Sequence, residues 1–260
     1  MKTPIYQVDA FADRLFSGNP AAICPIDQWL DDNRMQAIAE ENNLSETAFI
    51  VAVDDGYQIR WFTPTCEVDL CGHATLAAAH VVFEFLGETS NSVCFHSNSG
   101  KLFVNKEADR LTLNFPTSSY TAIQTPQTLI HGLGKVPIAT YYADDYLAIF
   151  QSEEDIRALT PDFSILQQLD RRGVIVTAPG NEVDFVSRFF APNAGINEDP
   201  VTGSAHCLLT PYWANQLGKT VLHAKQLSKR GGDLTCQLNE GRVLISGRAI
   251  TYLTGEITTG

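Results

Sequence analysis

The sequence predicts an α+β chain of two pseudo-symmetric domains, each a curved, mostly antiparallel sheet around one central helix. Three observations lead there. First, Arg60-Trp61-Phe62-Thr63-Pro64 is echoed 128 residues later by Arg188-Phe189-Phe190-Ala191-Pro192. Second, each copy follows a Thr-Ala pair ending an apolar strand pattern, Thr47-Ala48 and Thr177-Ala178. Each also precedes a small tripeptide, Gly72-His73-Ala74 and Gly203-Ser204-Ala205. One order of elements, repeated at half the chain length, argues for duplication. Two copies make paired domains, not a solenoid. Third, each tripeptide opens a segment that is apolar almost all round, residues 74–86 closed by Gly87 and residues 205–217 closed by Gly218. A helix without a polar face is enclosed, and here the flanking sequence is strand-rich.

Taken in order, residues 5–11 read as a strand. Residues 27–41 read as an amphipathic helix with Trp29, Leu30, Met35, Ile38 and Ala39 on one side. Residues 48–53 and 57–62 are strands joined by Asp54-Asp55-Gly56, a hairpin signal. Further strands are expected at 102–104 and 111–115. Pro116-Thr117-Ser118-Ser119 then breaks the pattern and suits a domain boundary, giving domains over 1–116 and 117–260. The second half repeats the style with strands at 173–178, 183–190, 234–238 and 242–246, the last two joined by Asn239-Glu240-Gly241. Pro211 inside the second apolar helix predicts a kink or an early 3₁₀ turn.

Composition narrows the function classes. The 260 residues are 44% hydrophobic and 18% charged, the balance of a globular protein rather than a disordered one. A formal net charge of -12 repels phosphate backbones, and Arg171-Arg172 and Lys229-Arg230 are isolated pairs, so no nucleic-acid partner is expected. The opening residues lack the apolar run of a signal peptide. The most apolar stretch is too short to span a bilayer, so no membrane association and a cytoplasmic location are expected. The six cysteines form no CxxC and are expected to be reduced.

The chemistry-bearing residues gather near the two tripeptides. Helix N-termini offer unpaired N–H groups and a positive dipole end. If the halves face each other, two such ends form a cleft suited to a carboxylate or another small anion. The alternative is that the glycines only permit close packing, with His73 and Ser204 as ordinary caps. Glu46 enters a strongly apolar strand, and Glu198-Asp199 precede Pro200-Val201-Thr202-Gly203-Ser204. A carboxyl group beside apolar residues can be tuned to act as both acid and base at neutral pH; a surface strand-start residue is the plainer reading of Glu46. Cys66, Cys71 and His73 make a poor zinc spacing, so no metal is expected. Cys71, just before a helix, reads as a packed thiol or as a nucleophile. No GxGxxG or Walker A sequence supports a nucleotide cofactor.

Five segments together resemble the PhzF-like isomerase family of phenazine biosynthesis. They are Val8-Asp9-Ala10-Phe11, Gly18-Asn19-Pro20-Ala21-Ala22, Leu44-Ser45-Glu46-Thr47-Ala48-Phe49, residues 60–74, and Glu198-Asp199-Pro200-Val201-Thr202-Gly203-Ser204-Ala205. The resemblance implies the two-domain fold of diaminopimelate epimerase, with the strand pattern at 250–253 crossing back to the first domain. It implies Glu46 as general acid/base, with His73, Asp199 and Ser204 positioning the substrate and assisting proton movement. Gly72, Ala74, Gly203, Ala205 and Asn19 would contact the substrate. It further implies a homodimer, no metal or organic cofactor, and a small carboxylate substrate, which for members near the founding enzyme is dihydro-hydroxyanthranilate. The epimerase branch uses one cysteine from each half. Cys71 matches the first, but Asp199 to Gly203 holds no second, which argues against a two-thiol racemase. The reaction expected is therefore a cofactor-independent proton shift on a conjugated or cyclic acid. The other readings are a one-base epimerase and a non-catalytic ligand-binding protein.

Overall fold

The structure is a computed structural model and describes residues 2–259. The chain divides into two compact units. One runs up to Asn114 and resumes at Ser246; the other is Phe115–Ile245.

The first unit begins with β1 (Lys2–Ala10), β2 (Asn19–Pro25), α1 (Asp32–Asn42), β3 (Glu46–Val53), β4 (Gly56–Phe62) and β5 (Glu67–Val68). It continues with α2 (Gly72–Phe85), β6 (Ser92–Ser97), β7 (Gly100–Glu107) and β8 (Arg110–Pro116). Neighbouring strands pair antiparallel except at two places, β2 with β3 and β4 with β6. The second unit holds β9 (Thr121–Ile123), α3 (Gln127–Leu133), β10 (Ala139–Tyr142), β11 (Tyr146–Ile149), α4 (Glu153–Ala158) and α5 (Phe163–Leu166). It goes on through β12 (Val174–Pro179), β13 (Phe185–Ala191), β14 (Ile196–Asp199), α6 (Gly203–Leu217), β15 (Val221–Gln226), β16 (Gly232–Asn239) and β17 (Arg242–Gly247). Its parallel pairs, β11 with β12 and β13 with β15, fall at the corresponding places. The last strand, β18 (Ala249–Thr258), pairs antiparallel with β1, as β9 does with β10. The duplication read from the motifs is therefore a duplication of strand pairing.

The repeated motif has a physical role. Arg60 on β4 donates Nε and Nη2 to Glu67 at 2.7 Å each. Arg188 on β13 does the same to Glu198, at 2.7 and 3.0 Å. Each guanidinium also lies over an aromatic ring two residues on, Phe62 at 5.2 Å and Phe190 at 4.8 Å. A planar fork held by a carboxylate and stacked on a ring is an Arg-specific arrangement. It fixes the short strand that leads into each central helix.

That helix is enclosed in each unit. Along α2, His73 to Ala79 are all buried, and the helix packs against β1, β2, β3, β7 and β18. Its many alanines let the strands approach closely. In α6 the buried run from Gly203 to Trp213 is interrupted only at Ser204 and Pro211. A second layer covers the first unit, where Met35 and Ala39 of α1 pack on Cys24, Phe49 and Phe62.

Several expectations need correction. The first helix starts at Asp32 rather than 27, because the Asp31 side chain accepts the Asn33 N–H at 3.0 Å and caps it. Trp29 and Leu30 still pack on that layer, but from the loop before it. The 3₁₀ turn expected near Pro211 is absent, and α6 runs unbroken. Proline removes the N–H that would bond the Cys207 carbonyl; the Ser118 N–H supplies it instead, at 3.0 Å. The boundary at 260 moves to Ile245, because β18 returns to β1 as the resemblance implies for the strand pattern at 250–253. The loop from β1 to β2 depends on Gly18, whose φ is +67° and where a Cβ would stand 2.2 Å from the Ala10 carbonyl oxygen. That turn delivers Asn19 into β2 opposite Ala10.

Candidate active site

In the first unit three elements bring their ends together. Glu46 is the first residue of β3, in register with Ala21 of β2. The Asn42 amide donates to Thr47 Oγ1 at 3.0 Å and pins this entry. His73 lies in the first turn of α2, and Cys71 is that helix's N-cap. Asn19 opens β2 and is fully buried.

His73 is the hub. Its Nε2 lies 3.0 Å from Glu46 Oε2, with side chains 6% and 13% exposed. This is an ion-pair approach off the hydrogen-bonding direction, and neither atom has a hydrogen-bond partner. On the other side of the ring, Nδ1 lies 3.2 Å from Asn19 Nδ2 and 3.5 Å from Cys71 Sγ. Burial alone would discourage charge on the imidazole, but Cys71 and Glu46 outweigh it and hold His73 well above 6.5. Burial and the Glu46 charge push the Cys71 thiol up. The ligand atoms of Glu46, Cys71 and His73 lie within 4.8 Å of one another, close enough to hold a metal ion. Cys66, weighed with Cys71 and His73 as a ligand, is exposed and outside this group.

The second unit presents a different constellation. Asp199 ends β14 and is 9% exposed. Its Oδ2 accepts the Thr202 hydroxyl. Gln226, fully buried on β15, accepts the Thr202 N–H at 2.9 Å and donates to the Asp199 carbonyl at 2.8 Å and to Thr202 Oγ1 at 3.2 Å. Below them His206 Nδ1 lies 2.8 Å from the Thr202 carbonyl, and complete burial pushes its pKa down to about 4. Ser204 is exposed in the first turn of α6. Its Oγ accepts from Arg172 Nη2 at 3.1 Å, and Arg172 is held by both oxygens of Asp145 at 3.1 and 2.5 Å.

Neither His73 nor Ser204 caps its helix. The N-caps are Cys71 and Thr202, and neither makes a side-chain capping bond. Gly72 is half-buried, while Ala74, Gly203 and Ala205 are buried. Asn19 touches His73. Glu198 is engaged by Arg188. The sequence reading missed Gln226, Arg172 and Asp145. Arg172 was visible only as half of a basic pair, and Gln226 lies in an unremarkable strand; nothing local marks either.

Two like-built units, each a strand-rich layer folded on one helix, make a fold like that of the proline racemases and epimerases. A crystal structure of a probable proline racemase from Agrobacterium radiobacter matches with a TM-score of 0.67 over 98% of this chain and 93% of its own, at 10% identity, a likeness of fold alone. The chain belongs to the phenazine biosynthesis-like (PhzC-PhzF) family, whose model matches residues 8–255. It is 53% identical to an uncharacterized isomerase of Pseudomonas aeruginosa over 99% of both chains. It is 47% identical to a crystal structure of a PhzF-family phenazine biosynthesis protein from Enterococcus faecalis, with a TM-score of 0.97 over 99% of this chain and 100% of that one. No described helix is long and apolar enough to cross a membrane.

Proposed function

We propose that this protein is a cofactor-independent isomerase that moves a proton on a small conjugated or cyclic carboxylic acid, with Glu46 as the general acid/base. The observation that carries the reading is the Glu46–His73 pair, in which a half-buried carboxyl group faces a buried imidazole. With Oε2 facing His73 Nε2, Oε1 is the oxygen that takes a proton from one substrate carbon and returns it to another. A charged His73 steadies the carboxylate while Oε1 is empty and stays in place once it is protonated. The imidazole therefore positions and the carboxyl group transfers.

His73, Asp199 and Ser204 act as positioning groups in this reading. The Ser204 hydroxyl accepts from Arg172, which donates only, so its own hydrogen is directed to an acceptor such as a substrate carboxylate oxygen. Backbone N–H groups near Gly72, Ala74, Gly203 and Ala205 add donors, and Asn19 contributes by orienting His73. The isomerase names of the relatives agree with the reaction class. The working unit is proposed to be a homodimer without metal or organic cofactor, in the cytoplasm.

The test begins with a panel of small carboxylates screened by thermal shift, since a ligand of the folded state raises its stability. Hits are then followed by proton NMR in deuterated water for exchange at carbon. Glu46→Gln keeps the shape but carries no proton. It should bind the same acid and lose turnover by at least ~10²-fold, the usual scale for a general base. Near wild-type turnover by that variant would remove Glu46 from the role.

A further inference from the structure

We propose that Cys71, His73 and Glu46 also form a nucleophilic triad, in which the Cys71 sulfur accepts acyl groups from small activated esters and thioesters. The isomerase reading leaves the thiol unused, and this inference does not depend on it. A nucleophile, a base and a carboxyl group are gathered around one imidazole. Cys71 Sγ stands 3.5 Å from His73 Nδ1, and the other ring nitrogen faces Glu46 Oε2 at 3.0 Å. The three side chains come from two elements, β3 and the start of α2. Asn19 steadies the ring from β2 at 3.2 Å. Cys71 is the N-cap of a 14-residue helix that no side chain caps, so its first-turn N–H groups can receive a developing oxyanion. Cys71 is buried at 7% exposure, which restricts the acyl donor to a small molecule rather than a protein.

The step balances without a redox partner. The thiol proton passes to His73 Nδ1 as Sγ bonds to the ester carbonyl carbon. The tetrahedral intermediate then expels the alcohol or phenol of an ester, or the thiol of a thioester, which takes the proton from His73. Water attacks the S-acyl group next, releasing a carboxylic acid and restoring the thiol. Burial and the Glu46 charge keep the Cys71 thiol protonated, and the Glu46 carboxylate facing Nε2 favours a proton on His73. The base must first lose that proton, so acylation should accelerate as the pH rises through the His73 pKa, which lies well above 6.5.

The probe is p-nitrophenyl acetate. Phenolate release is followed optically, and the acetyl group is located by peptide mass spectrometry. Cys66, exposed and outside the triad, serves as the internal comparator. The expected result is acetylation of Cys71 that His73→Ala slows at least ~10²-fold while Cys66 labels at an unchanged rate. Cys71→Ser should lose the phenolate release that depends on His73. His73→Gln provides a second variant, and thermal unfolding checks that each is folded. Acetyl found only on Cys66 and lysines, or on Cys71 at the same rate in both His73 variants, overturns the proposal.

Discussion

His206 should make the second unit sensitive to mild acid. Its ring is fully buried beside Phe185, with centroids 6.0 Å apart. Nδ1 sits at the Thr202 carbonyl, and Nε2 has no hydrogen-bond partner. Burial penalises the charged ring and lowers its pKa from 6.5 to about 4. Folded His206 therefore stays neutral where unfolded His206 takes up a proton. The stability from this difference is fully present above 6.5 and is lost as pH falls from there to about 4. At ~1.4 kcal/mol per pKa unit, the drop corresponds to about 3 kcal/mol, most of it gone by pH 4.5. That is a large part of the 5–15 kcal/mol typical of a domain. His206→Asn puts an amide N–H where Nδ1 stands but cannot titrate. The cavity it leaves lowers stability at every pH alike, so the comparison is between slopes. In urea unfolding at pH 7.5 and 4.5, the wild type should lose about 2.5 kcal/mol more than the variant. Equal losses, within about 0.5 kcal/mol, the usual scatter between independent sites, would mean that His206 is not buried neutral.

Gln226→Leu removes every hydrogen bond that Gln226 makes to the Asp199–Thr202 turn and leaves the buried Thr202 N–H without its acceptor. Urea midpoints should report a loss of about 1–3 kcal/mol, and turnover should fall with it. Metal analysis after dialysis should find no stoichiometric zinc; one equivalent that disappears in Cys71→Ser would make Glu46, Cys71 and His73 its ligands. Light scattering should give twice the chain mass, and a monomer at every concentration would remove the dimer.

Much of the fold was legible because duplication writes itself in residues with strict geometric needs. Arg60 and Arg188 each require a ring two residues on and a carboxylate from the following strand, so the motif survives in both halves. The apolar helices were legible because enclosure removes their polar face. What escaped was set at a distance. Pro211 predicted a kink or a 3₁₀ turn, but its missing hydrogen bond is made up by Ser118, far away in sequence. The helix at 27–41 was drawn too long because Trp29 and Leu30 continue its apolar side from a loop. In the site, Glu46 and His73 could be named from motifs. That Asn19 and Cys71 share one nitrogen of His73, and that Arg172 grips Ser204, follows only from tertiary packing.

On the proposed reading, the duplicated scaffold carries its acid/base chemistry once. Aligned on the repeated Thr-Ala pairs, the place of Glu46 is taken in the second half by Val176, which is completely buried in an apolar cluster. Aligned on the tripeptides, Cys71-Gly72-His73 becomes Thr202-Gly203-Ser204. The first unit thus holds a carboxyl group, an imidazole and a thiol around one point. The second offers Asp199, a hydroxyl and an arginine, all tied to partners. A racemase with matched thiols needs like groups in both halves. A proton shift by one carboxyl group needs its transferring group once, together with groups that hold the acid still. The unequal distribution of titratable side chains over an equal distribution of strands therefore favours the one-base proton shift.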